Sequence, residues 1–114
     1  MSNRIKNILE EYVKGLIQIL GNRLNQVILY GSYARGEQNQ EGEHSDIDIM
    51  ILVNLSDDEI KEIEQAIFDY SFDMDLKYNI LFSPIIESTA NYISRQNFIP
   101  FYKNVSMEGV VLNG

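Results

Sequence analysis

Apolar residues recur at three- and four-residue steps through the first twenty positions: Ile5, Ile8, Leu9, Tyr12, Val13, Leu16, Ile17 and Leu20. That spacing predicts an amphipathic helix over residues 2–20, with Ser2 as N-cap and Gly21 or Asn22 as the stop. The period then changes. Val27 to Tyr30 is a short continuous apolar run that halts at Gly31-Ser32, which predicts a buried strand and a turn. Tyr33-Ala34-Arg35 reads as the start of a short helix, and residues 38–44, polar and containing Gly42, as a loop. Asp46 to Val53 is apolar on both faces after Asp48, as in a central strand covered on both sides. Ser56-Asp57-Asp58-Glu59 has the form of a capping box, followed by Ile60, Ile63, Ile67 and, less regularly, Phe68.

Residues 72–82 alternate. Asp73, Asp75, Lys77 and Asn79 fall on one face and Met74, Leu76, Tyr78 and Ile80 on the other, the pattern of a strand with a polar face. Ser83-Pro84 predicts a further helix with Pro at its first position, running through Ile85, Ile86, Ala90, Tyr92 and Ile93 to about Gln96. Pro100 punctuates, residues 101–106 suit a last turn, and Val110-Val111-Leu112 a short terminal strand or arm. Phe98, Phe101 and Tyr102 make this end apolar, which fits either core or a partner surface. The elements together predict one α/β domain over residues 1–114: a small mixed sheet flanked by helices.

Composition narrows the possibilities. The chain has 114 residues, 45% of them hydrophobic, enough for one core without staples. A net charge of -8 argues against binding a nucleic-acid backbone and for meeting a basic partner. With no cysteine, disulfides, zinc-thiolate sites and thiol catalysis are excluded. The single His44 cannot build a His-rich metal site and reads as a solvated loop residue. No signal segment or membrane-length apolar run is evident, so cytoplasmic residence is expected.

The chemistry concentrates between Val27 and Val53. Asp46 and Asp48 share one face of a strand, roughly 6.5 Å apart along the chain. Two like charges beside Ile47, Ile49 and Ile51 repel each other and resist burial. A divalent cation relieves both problems, and hard carboxylate oxygens suit magnesium. Gly31 lets the backbone approach closely, Ser32 offers a hydroxyl, and the start of a following helix offers free N–H groups, together an anion site. Two roles are open to Arg35: reaching a triphosphate, or pairing with Glu37 or Glu41. Each piece alone is ordinary, since Gly-Ser after a strand is a common turn. The two in order between apolar strands carry the signal.

That order, G-S-Y-A-R-G followed by S-D-I-D-I-M-I, resembles the signature of the DNA polymerase β-like nucleotidyltransferases. It is most similar to the minimal nucleotidyltransferases, many of them antitoxins encoded beside an all-helical HEPN toxin. The C-terminal F-Y-K-N-V-S-M-E-G-V-V-L is similar to their tails. The resemblance implies transfer of AMP from ATP to an acceptor hydroxyl, a toxin tyrosine being the expected target. It implies two magnesium ions roughly 3.5–4 Å apart at Asp46 and Asp48. It also implies Gly31 and Ser32 on the leaving phosphates, and Arg35 supporting the site. The family takes a third carboxylate from a later strand; Asp75 matches best, as metal ligand and proton acceptor, with Asp73 in reserve. Two alternatives are a module that sequesters the toxin without chemistry and a nucleotidyltransferase for small molecules of the aminoglycoside kind.

Overall fold

In a computed structural model, residues 1–36 and 46–113 are described. The expected loop over 38–44, with His44, and the proposed partners Glu37 and Glu41 lie outside the described residues. Helix α1 spans Asn3–Leu20, capped by the Ser2 hydroxyl and ended at Gly21, as the spacing predicts. A single 3-10 turn leads into β1 (Leu24–Tyr30). A one-turn helix α2 (Ser32–Arg35) follows Gly31. Strand β2 (Ile47–Val53) leads to α3 (Asp57–Tyr78), whose Ser56–Glu59 capping box is fully formed. Then come β3 (Phe82–Ser88), α4 (Thr89–Arg95), α5 (Pro100–Glu108) and β4 (Val110–Val111). The sheet order is β3-β2-β1-β4, with β2 and β3 parallel and the other pairs antiparallel.

Side-chain alternation along β2 sorts the molecule into two layers. Ile47, Ile49, Ile51 and Val53 join Val27, Leu29 and Phe82 under α1 and α3. Met50 and Leu52 join Ile28, Tyr92 and Val105 under α4 and α5. Every residue of β2 except Asp48 is buried, as expected of a strand covered on both sides. Tyr12 centres the larger layer. Its ring stacks on Phe82 at 4.0 Å and on Tyr70 at 5.4 Å, and its hydroxyl meets that of Ser71 at 2.7 Å.

Two elements correct the sequence reading. Residues 72–78 are not a strand; they complete α3, which stops at Asn79 in the left-handed conformation (φ 54°, ψ 50°). The residues facing the core are Ile60, Ile67, Ser71 and Met74, a helical spacing disguised by a polar member. Ser71 is tolerated there because its hydroxyl bonds both Tyr12 and the Ile67 carbonyl. Phe68, Phe72 and Leu76 meanwhile point outward, so alternation in the sequence mimicked a strand. Secondly, Ser83-Pro84 lies within β3 rather than opening a helix. Proline is accommodated because β3 is an edge strand, where an amide N–H is dispensable. The helix that follows is the shorter α4.

Candidate active site

Register places three side chains in one row across the sheet, on the α4–α5 face: Tyr30 opposite Asp48, and Asp48 opposite Ser83. Phe101 of α5 meets the Tyr30 ring edge-on at 5.5 Å. Asp46 precedes β2, and its charge is felt at Asp48. Gly31 closes the site from the side. Its backbone is in a conformation (φ 76°, ψ -154°) that side chains resist. A Cβ there would lie 2.3 Å from an Asp48 carboxylate oxygen. The turn and the carboxylate thus pack against each other with no room between, and Ser32 stands next in the chain, half-exposed, at the first position of α2.

Burial is the main influence raising the Asp48 carboxyl above its ordinary value; the Asp46 charge adds to it and Arg35 opposes it. The Tyr30 hydroxyl is pushed up to about 12 by burial and then by Asp48. Among the described residues no salt bridge neutralises Asp46 or Asp48. A half-buried carboxylate close to another, with no salt bridge to either among the described residues, is a donor set suited to a hard cation. Arg35 pairs with Glu108 at 3.0 Å, tying α2 to the end of α5. That acid lies 73 residues away in the sequence, out of reach of any local reading.

Asp75 belongs to α3, not to a strand. Its carboxylate accepts the Phe82 N–H at 2.8 Å, at the first residue of β3. Burial raises its carboxyl, the Phe82 bond lowers it, and the Asp46 charge raises it further. Among the described residues no group of three His, Cys, Asp or Glu side chains is arranged to hold a metal ion. Asp48 packs against Gly31, and the Asp46 charge reaches both Asp48 and Asp75, which lies on α3. Ser83, which sequence reasoning passed over, is the residue that faces Asp48 from β3. Asp73 is exposed on α3, and Lys77 pairs with Glu11 at 2.9 Å. The expected aromatic end divides: Tyr102 bonds Glu87 and packs on Tyr92, Phe101 packs on Tyr30, and Phe98 is exposed. No described helix is long and apolar enough to cross a membrane.

Both the sequence and the fold are similar to those of known proteins. Two Methanocaldococcus jannaschii proteins are similar in sequence, each bearing the name "Putative protein adenylyltransferase". MJ0141 is 44% identical over 82 residues, covering 72% of this chain and 78% of that protein. MJ0604 is 34% identical over 108 residues, covering 91% and 93%. The fold is similar to that of a chain in a crystal structure of a toxin–antitoxin with AMP-PNP, at a TM-score of 0.55 and 20% identity, covering 92% of this chain and 73% of that one. It is also similar to a chain in the complex of a tri-AMPylated Shewanella oneidensis HEPN toxin with an MNT antitoxin. There the TM-score is 0.51 and the identity 17%, covering 96% and 72%. Residues 4–109 match the model of the nucleotidyltransferase domain, and the chain belongs to that family.

Proposed function

We propose that this nucleotidyltransferase transfers AMP from ATP to a hydroxyl of a separate protein, a tyrosine of a HEPN-type toxin, and so acts as an antitoxin. The observation that carries the chemistry is the half-buried Asp48 carboxylate, packed against the Gly31 turn and within reach of the Asp46 charge. The names of the two archaeal relatives support a protein as acceptor, and the toxin–antitoxin complexes of similar fold support the partner class.

In this reading Asp46 and Asp48 hold magnesium, which when bound neutralises charge developing on the phosphates. Gly31 and Ser32 hold the β- and γ-phosphates through the backbone and the Ser32 hydroxyl. Arg35, fixed by Glu108, supports the turn and lowers the negative field at Asp48. Catalysis then rests on positioning and charge neutralisation. Tyr30 and Phe101 form an aromatic wall beside Asp48.

Asp75 takes a different part from the third ligand the resemblance implies. It positions the start of β3, and through the Ile47 N–H bond to the Leu81 carbonyl (2.8 Å) it steadies the end of β2 where Asp46 stands. Asp75→Asn keeps an acceptor oxygen for Phe82 and is expected to retain transfer within roughly tenfold. Asp75→Ala orphans the amide and destabilises the chain by about 1–3 kcal/mol. Single-turnover transfer with thermal unfolding measures both. A complete loss of transfer in Asp75→Asn, with Mg-ATP affinity intact, would restore Asp75 to the reaction.

The acceptor assignment is tested by incubating the chain with Mg-ATP and the protein encoded beside it, then weighing both intact. The expected result is added AMP mass on the partner, absent with Asp46→Asn. A tight complex without added mass, with toxin neutralisation preserved in Asp46→Asn, would favour sequestration without chemistry.

A further inference from the structure

Helix α3 turns an unusual face to solvent. Phe68, Phe72 and Leu76, at successive four-residue steps, are 42%, 59% and 69% exposed. They form one ridge about 12 Å long. Leu81, just past the helix, adds a fourth apolar side chain at 58%, and its carbonyl holds the Ile47 N–H beside Asp46. The C-terminal end of the ridge therefore lies near Asp46.

The charge around it is equally uneven. Helix α3 carries eight acidic residues and two lysines, a net -6 within a chain of net -8. By helical spacing Glu64 and Asp75 border the ridge on one side and Asp69 on the other. Burying the ridge against a second copy of itself would bring two such acidic helices together, which electrostatics opposes. A basic surface satisfies both features at once.

We infer that the Phe68–Phe72–Leu76–Leu81 ridge is a docking surface for an amphipathic helix of the acceptor protein, with an apolar stripe flanked by lysine or arginine. This rests on the reading that the acceptor is a separate protein. Such a helix would lie in the groove-filling mode, with apolar anchors at three- and four-residue steps. Its charged flanks would speed association and make it salt-sensitive. Docking there holds the acceptor beside Asp46 without using any residue of the site.

The test compares wild type, Phe72→Ser/Leu76→Ser and Glu64→Lys/Asp69→Lys for binding to the protein encoded beside this chain, by calorimetry at low and high salt. All the substituted side chains except Glu64 are exposed, and Mg-ATP affinity checks that each variant is folded. The expected result is partner binding weakened roughly tenfold or more in the apolar pair. The charge-reversed pair should also bind more weakly, with its salt dependence reduced and Mg-ATP affinity unchanged in both. If both variants bind and acquire AMP as wild type does, the ridge inference falls while the transferase reading stands. If binding depends on the ridge but no AMP is transferred, docking stands and the transferase reading falls. A partner that binds none of the three, or a self-association of the chain abolished by Phe72→Ser/Leu76→Ser, overturns the inference.

Discussion

Asp48→Asn is expected to lower nucleotidyl transfer by roughly 10²–10³-fold or more, while the free chain folds at least as well as wild type. The first half follows from removing one of the two carboxylates assigned to the cation. The second follows from electrostatics. Burial and Asp46 raise the Asp48 carboxyl above the ordinary 3.8, so the folded state holds its proton more tightly than the unfolded chain does. The stability this contributes is fully present below the unfolded value and is lost as pH rises through the elevated folded one. At neutral pH the ionised pair is a burden that folding carries for function. Asp75, raised in the same direction, adds to the same slope. Thermal unfolding across this range is expected to show wild-type stability falling as carboxylates ionise, with a shallower fall in Asp48→Asn. Magnesium should recover stability in wild type and do less in the variant. A variant less stable than wild type at neutral pH without metal would mean that Asp48 supports the fold.

Gly31→Ala is expected to be nearly as damaging to transfer, for two separable reasons. The backbone at Gly31 occupies a region essentially reserved for glycine, and forcing alanine into it costs about 1–3 kcal/mol. The new methyl would also sit 2.3 Å from the Asp48 carboxylate, so the turn or the carboxylate must move. Either movement would separate the proposed phosphate cradle from the proposed metal-binding pair. Gly36 supplies the control. It too has positive φ, but it is left-handed (φ 74°, ψ 25°), and among the described residues nothing lies within 4 Å of an added Cβ. Asparagine tolerates that conformation, so Gly36→Asn should lose little of either stability or activity. Unfolding curves and transfer rates on the two variants separate strain from collision. Wild-type transfer by Gly31→Ala would show that the turn and the carboxylate act independently.

The parts of this protein legible in the sequence are those whose signals are local. Ser2 and the Ser56–Glu59 box announce their helices because caps depend only on the nearest turn. Strand β2 announces itself because both its faces are apolar after Asp48. What failed depended on distant partners. Ser71 reads as a polar interruption of α3 until Tyr12, 59 residues away, supplies its hydroxyl partner. Pro84 reads as a helix start until β3 is known to be an edge. Asn79 was the local clue that could have placed the end of α3, since asparagine often takes the left-handed stop. Without that stop, residues 72–78 read as a strand and Asp75 as one of its members, whereas it stands on α3. The same error hid the exposed ridge, because Phe72 and Leu76 seemed to belong to the covered face of a sheet.

The central claim is that the Asp46–Asp48 site moves the α-phosphate of ATP, with its nucleoside, onto a protein. It is tested most directly by running the reaction with the protein encoded beside this chain, using ATP labelled in parallel at the α- or the γ-phosphate. Label from the α-phosphate should appear on the partner, be absent from it with Asp46→Asn, and be accompanied by release of γ-label as pyrophosphate. Transfer of γ-label to the partner, or retention of α-label transfer in Asp46→Asn, would contradict the account.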